Sequence, residues 1–191
     1  MPSLNLNQLP WSLVLFRLAA GPVVVALAIA ERRSFCAILL ALGVLSDIFD
    51  GIIARRLNVA TAKLRVWDSR ADVIFWVCVL GAVILARPSL FDLLWLPALV
   101  IVAMEVGNHL VSFAKFRREA SPHHYLSKLF GLALWCLCSL AFLHGENLDV
   151  MRSAIWTVLA IGVLSQLEAL AITMMLSTWR CDVPSVLTLR P

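Results

Sequence analysis

Apolar residues along this chain of 191 residues gather into six runs that are separated by short polar stretches. The runs cover about residues 13–30, 35–49, 73–86, 93–113, 125–143 and 154–176. A helix needs roughly 20 residues to cross the hydrocarbon of a bilayer. The second and third runs are shorter, so we expect their helices to continue into the polar stretch that joins them. The pattern predicts an all-α polytopic membrane bundle of six transmembrane helices, with residues 1–191 forming a single membrane domain.

The composition supports a membrane protein. Hydrophobic residues make up 61% of the chain and the mean hydropathy is +0.90, which excludes an ordinary soluble domain. Basic residues concentrate in the polar stretches after the second and fourth runs. Loops rich in Lys and Arg stay in the cytosol, so we expect these loops and both termini to be cytosolic. The net charge of +4 is therefore explained by topology, and we expect no nucleic-acid partner.

The polar stretch between the second and third runs carries four aspartates in two pairs. They are Asp47, Asp50, Asp68 and Asp72. Spacings of three and four residues place both members of a pair on one face of a helix. Two helices that meet at these ends would bring four carboxylates together. Because such groups repel one another and resist leaving water, we expect divalent cations between them.

This stretch resembles the signature of the CDP-alcohol phosphatidyltransferase family. The signature is D-x2-D-G-x2-A-R, eight residues, G, three residues, D, three residues, D. The residues in register are Asp47, Asp50, Gly51, Ala54, Arg55, Asp68 and Asp72. Leu64 stands where the family has its second glycine, which removes no charged or ligating group.

The resemblance implies an enzyme of phospholipid biosynthesis at the cytoplasmic face of the membrane. Such an enzyme transfers a phosphatidyl or related phospho-alcohol group from a CDP-linked lipid, such as CDP-diacylglycerol, to an alcohol and releases CMP. It also implies two Mg²⁺ or Mn²⁺ ions and a homodimer. By resemblance, Asp47, Asp50 and Asp68 hold one ion, and Asp47, Asp68 and Asp72 hold the other.

The resemblance assigns further roles around these ions. Asp72 is the expected general base for the acceptor hydroxyl, besides being a metal ligand. Gly51 and Arg55 are expected to contact the CDP-lipid, since a small residue allows close approach and arginine offers a fork of donors to a diphosphate. Thr61 is expected to contact the nucleotide.

The alcohol acceptor is not encoded in the signature. Arg117, Arg118 and Lys128 flank the fourth and fifth runs on the side that we expect to be cytosolic. Basic groups there would suit an acceptor that carries its own phosphate, such as glycerol 3-phosphate or another phosphorylated polyol. The alternative is that they enforce topology and contact lipid headgroups.

Other polar residues have two interpretations each. The fourth run holds Glu105, Asn108, His109 and Ser112 on one helical face. They form either a wall of the active-site cavity or an interhelical hydrogen-bond network, and we favour the network. Glu168 is either a packing group or a dimer contact. The pair His123 and His124 is interpreted as part of a solvated loop rather than a metal site.

Two other classes of function compete with the enzyme. A cation transporter could line an ion path with carboxylates, and a family member could have lost its activity. A transporter would be expected to place ionisable groups near the bilayer midplane. Here the aspartates lie at one boundary beside an arginine-rich loop, which suits a diphosphate better than a cation path.

Overall fold

The computed structural model describes residues 9–56, 61–118, 124–180 and 183–189. Within these ranges the chain forms six α-helices and two single 3₁₀ turns, and no strand. The helices are α1 (Leu9–Ile29), α2 (Arg33–Arg56), α3 (Ala62–Ala86), α4 (Phe91–Phe116), α5 (Tyr125–His144) and α6 (Leu148–Met175). The 3₁₀ turns cover Pro88–Leu90 and Val186–Thr188. The all-α prediction is confirmed.

Helices α2 and α3 continue through the polar stretch, as their short apolar runs predicted. Helix α2 runs to Arg56, seven residues beyond its apolar run, and α3 begins at Ala62, eleven residues before its own. Thr61 starts α3, because its hydroxyl accepts a hydrogen bond from the Leu64 amide at 3.2 Å. The backbone of all four aspartates is therefore helical.

Four segments in the described part of the chain are long and apolar enough to cross a membrane. They are Leu9–Ile29, Pro88–Phe116, Tyr125–His144 and Leu148–Met175. A multi-pass helical membrane protein is thus supported, while the count of six spans, the single domain and the cytosolic side stay predictions.

The helices belong to two compact units. The first comprises Met1–Ser89 with Cys138–Glu146, and the second comprises Leu90–Leu137 with Asn147–Pro191. In the first unit, α1 packs along both α2 and α3. Gly21 allows the close approach of α1 to α3, because an added Cβ would lie 3.2 Å from Cys78 Sγ. Gly43, on α2, makes room for the ring of Phe75 from α3, which an added Cβ would overlap.

An ion pair ties the end of α3 to the chain that follows α5. Arg87 is 8% exposed and donates from Nη1 to Glu146 Oε1 at 2.6 Å. Arg33 Nη1 lies 3.8 Å from the same oxygen. The hydrogen bond from Arg87, reinforced by its charge, lowers the pKa of the exposed Glu146 carboxyl below its ordinary value.

In the second unit, polar side chains join α4 to α6. Asn108 donates to the side-chain oxygen of Gln166 at 2.6 Å and to its backbone oxygen at 3.1 Å. Gln166 donates in turn to Glu105 at 2.5 Å, and His109 lies 3.1 Å from the same carboxylate. The interhelical network that the sequence favoured is confirmed for Asn108 and Glu105, whereas the Ser112 hydroxyl donates to the Arg118 carbonyl at 3.0 Å.

The segment 183–189 lies against the end of α6 in the same unit. Val183 is buried with Ile172 and Leu176. The Glu168 carboxylate accepts hydrogen bonds from the Ser185 hydroxyl at 2.7 Å and from the Val186 amide at 3.1 Å. Glu168 is thus a packing group that holds this segment.

The interpretation of His124 as a solvated loop residue is wrong. His124 is 2% exposed, and its Nε2 lies 3.0 Å from the Ser165 carbonyl oxygen and 3.8 Å from Glu168 Oε2. It is buried because the segment 183–189 also meets this region, where the Tyr125 amide donates to the Pro184 carbonyl. His123 lies outside the described residues.

Candidate active site

Three of the four aspartates converge in the first unit. Asp47, from α2, and Asp68 and Asp72, from α3, each offer one carboxylate oxygen, and these oxygens lie within 4.8 Å of one another. The four-residue spacing on α3 puts its two carboxylates on one face, as the sequence predicted. The side chain of Asp50 lies outside the described residues, although its backbone is part of α2.

A cationic side chain that the sequence analysis did not assign completes this cluster. Arg17, from α1, donates from Nη1 to Asp47 Oδ1 and from Nη2 to Asp68 Oδ1. Its Nη1 also lies 2.7 Å from Asp72 Oδ1. The guanidinium is 1% exposed, so α1 carries a fully buried charge. A buried charge inside an apolar run requires a counter-charge, and this was the signal that could have found it.

The aspartates themselves remain open to solvent or ligands. Their side chains are 47%, 28% and 34% exposed for Asp47, Asp68 and Asp72. The formal charge of the described cluster is −3 from the carboxylates and +1 from Arg17, which makes −2. Carboxylate oxygens are the hard ligands that Mg²⁺ and Mn²⁺ prefer, so the donor set fits a divalent cation.

Leu64, the departure from the family signature, packs beside the cluster. It is 5% exposed and lies in an apolar group with Val14 and Ala71. Val14 is one turn before Arg17 on α1, and Leu64 is one turn before Asp68 on α3. A larger side chain at position 64 therefore fills the space between α1 and α3 next to the charged groups.

The expected CDP-lipid contacts lie near this cluster along the chain. Gly51 and Arg55 belong to the last turns of α2, and their side-chain surroundings lie outside what the structure describes. Thr61 is exposed and uses its hydroxyl to start α3. These assignments stay predictions.

The expected acceptor contacts lie in the second unit, each with its cation over an aromatic ring. Arg117 is 6.0 Å from the centroid of Phe113, Arg118 is 5.0 Å from Trp179, and Lys128 is 5.7 Å from Tyr125. Such contacts hold a cationic side chain in one place while leaving its donors available. Their role in binding an acceptor stays a prediction.

Comparison with known proteins gives two matches. The family model described as CDP-alcohol phosphatidyltransferase matches residues 7–179. A protein of Rickettsia typhi (strain ATCC VR-144 / Wilmington), named CDP-diacylglycerol--glycerol-3-phosphate 3-phosphatidyltransferase, is 30% identical over 128 residues. The aligned part is 65% of this chain and 70% of that protein. No solved structure gives a significant match.

Proposed function

The chain belongs to the CDP-alcohol phosphatidyltransferase family, and within it we propose that the protein transfers the phosphatidyl group of CDP-diacylglycerol to glycerol 3-phosphate. Membership makes it a transferase of phospholipid biosynthesis with a CDP-linked lipid and an alcohol as substrates. The observation that carries the chemistry is the convergence of Asp47, Asp68 and Asp72 from two helices on one point. The acceptor is proposed from the name of the Rickettsia typhi relative.

The proposed reaction exchanges the phosphoanhydride bond of the CDP-lipid for a phosphate ester bond to the acceptor. The acceptor oxygen forms a bond to the β-phosphorus of the CDP-lipid, the bond from that phosphorus to the bridging oxygen breaks, and CMP leaves with this oxygen. Two bound Mg²⁺ or Mn²⁺ ions would neutralise the diphosphate and polarise its phosphoryl oxygens. Asp47, Asp50, Asp68 and Asp72 are the residues that would hold them.

Asp72 is proposed to take the proton of the acceptor hydroxyl. It lies one turn beyond Asp68 on the same face of α3, and its side chain is 34% exposed. A carboxylate in this position can reach a hydroxyl that approaches from solvent, as general-base catalysis requires. Arg55 would donate to the diphosphate, Gly51 would let the nucleotide approach α2, and Thr61 would contact the nucleotide.

The acceptor pocket and the quaternary structure extend the proposal. Lys128, Arg117 and Arg118 are proposed to bind the phosphate of glycerol 3-phosphate, because charge-assisted hydrogen bonds to phosphate are strong. A homodimer with its active sites at the cytoplasmic face is proposed from the family resemblance and from the charge of the loops. A cation path is disfavoured, since Arg17 places a positive charge among the carboxylates.

The experiment that tests this function measures CMP release by the purified protein in lipid nanodiscs. CDP-diacylglycerol is supplied with glycerol 3-phosphate, serine, inositol phosphate or choline, each in Mg²⁺, in Mn²⁺ and in EDTA. We expect release with glycerol 3-phosphate and a divalent cation, and none in EDTA. The Asp68→Asn variant is the inactive control. Preferred use of serine or choline would refute the acceptor, and release in EDTA would refute the role of the cations.

A further inference from the structure

We propose that Arg17 is an exchangeable counter-ion. It holds the carboxylate cluster together when no divalent cation is bound, and it pairs with the diphosphate of the CDP-lipid when a divalent cation occupies the cluster. This inference rests on the proposed function, because it takes the cluster as the cation site. It assigns Arg17 as a positioning residue toward Asp47, Asp68 and Asp72, and as a binding residue toward the substrate diphosphate.

The first step of the argument is that Arg17 occupies the ligand atoms themselves. It contacts one oxygen, Oδ1, of each of the three aspartates. Its Nη1 lies between Asp47 and Asp72, and its Nη2 contacts Asp68. Carboxylate oxygens bind Mg²⁺ at about 2.0–2.1 Å. A cation that binds through Oδ1 therefore competes with the guanidinium for these atoms, and the two positive charges repel each other.

The second step concerns what the cluster would do without this side chain. Asp47 comes from α2 and the other two aspartates from α3, so three like charges from separate helices would repel one another. Arg17 brings a third helix, α1, and reduces the formal charge of these three aspartates from −3 to −2, which is still negative. The guanidinium thus keeps the ligands close together while leaving a net attraction for the metal.

The third step concerns where the released guanidinium can go. Arg17 is 1% exposed, and a buried charge that loses its partners is strongly destabilising. Release is therefore feasible only when another anion takes over the guanidinium. The diphosphate is the anion of the proposed reaction, and a planar fork of donors matches its oxygens. Arg17 would then bind the CDP-lipid.

The test depends on two effects of opposite sign in Arg17→Gln. Without lipid, we expect Arg17→Gln to bind Mn²⁺ more tightly than the unsubstituted protein does, by a factor of about 10 or more, because a competing positive charge is gone. With the cation saturating, we expect CDP-diacylglycerol to bind about 10-fold or more weakly, because a charge-assisted hydrogen bond is lost. Mn²⁺ binding is followed by electron paramagnetic resonance and lipid binding by calorimetry in nanodiscs.

Two further variants define what a specific effect is. Arg17→Lys keeps the charge but loses the fork, so both changes should have the same signs and be smaller. Arg87→Gln also removes a buried arginine of the first unit that is paired with a carboxylate, and it should alter neither affinity. A purely structural brace at position 17 predicts instead that Mn²⁺ and CDP-lipid binding both weaken.

The outcomes separate this inference from the proposed function. If the unsubstituted protein binds Mn²⁺ and Arg17→Gln binds it with the same or lower affinity, the exchange alone is overturned. Absence of Mn²⁺ binding to the unsubstituted protein when CDP-diacylglycerol is present would overturn both. If Arg17→Gln does not fold, nuclear magnetic resonance of the unsubstituted protein tests the proposal through the ¹⁵Nη resonances of Arg17. The Arg17→Lys variant, which lacks these resonances, assigns them. We expect Mg²⁺ and CDP-lipid together to shift these resonances, and their persistence unchanged would overturn the proposal.

Discussion

The substitution Gly43→Ala should disturb the geometry of the active site, although residue 43 is not one of the site residues. Gly43 is one turn before Asp47 on α2, and an added Cβ would lie 2.9 Å from Cε2 and 3.0 Å from Cε1 of the Phe75 ring. Carbon atoms that are not bonded to each other prefer 3.5–4.0 Å. Phe75 is 1% exposed, so its ring is buried and cannot withdraw to the surface. The backbone of α2 has to move by roughly 1 Å instead, given the missing clearance.

The size of the effect follows from this displacement. Overpacking of this kind costs about 1–3 kcal/mol of stability. A shift of roughly 1 Å in the position of Asp47 relative to Asp68 and Asp72 can reduce the rate about 10²-fold, because catalytic groups tolerate little misplacement. We therefore expect a folded protein with a lower unfolding temperature, weaker Mn²⁺ binding and a strongly reduced rate of CMP release.

The chain offers both a matched control and a rescue. Gly81, on α3, has no atom within 4 Å of an added Cβ, so Gly81→Ala should leave the rate of CMP release unchanged. Phe75→Leu removes the tip of the ring and should restore part of the activity when combined with Gly43→Ala. The double-mutant cycle should show that the two substitutions are coupled. Full activity of Gly43→Ala, or no rescue by Phe75→Leu, would refute the argument from packing.

Three other predictions address the base, the acceptor and the far end of the first unit. Asp72→Asn should lower the turnover of CMP release by about 10²-fold or more while CDP-lipid binding is retained, and equal loss of binding would reduce Asp72 to a metal ligand. Lys128→Ala should raise the KM for glycerol 3-phosphate and leave that for CDP-diacylglycerol unchanged; unaltered acceptor kinetics would refute its role. Because Arg87 lowers the pKa of Glu146, this pair contributes stability above pH 4.5 that is lost as the pH falls further. The unfolding temperature of Glu146→Gln should therefore fall less in acid than that of the unsubstituted protein. An equal fall in both proteins would contradict the pairing.

The parts of the site that the sequence predicted depend on local spacing. Helical periodicity placed Asp68 and Asp72 on one face, and the short apolar runs required α2 and α3 to continue through the polar stretch. The face of α4 that carries Asn108 was predicted to pair with another helix, and Gln166 on α6 is its partner. In each case, residues within a few turns of one another contained the information.

The parts that it missed depend on contacts between distant segments. Arg17 lies in the first apolar run and was given no role, because its partners are 30 to 55 residues further along the chain. His124 was assigned to a solvated loop, because its burial depends on Ser165 and on the segment 183–189. Spacing along a helix does not show which other helix a side chain meets, although a charge in an apolar run does show that it must meet one.

The ion pairs of Arg17 also bear on how the protein enters the membrane. Each charged residue at the centre of a helix adds about 2.5–3.5 kcal/mol to the cost of its insertion into a bilayer. Helix α1 carries Arg17, whereas α2 and α3 carry its anionic partners. A translocon that released α1 alone would expose the unpaired charge of Arg17 to lipid. Insertion is cheaper if α1 stays beside the translocon until α2 and α3 arrive, so that Arg17 enters the bilayer already paired with its carboxylates.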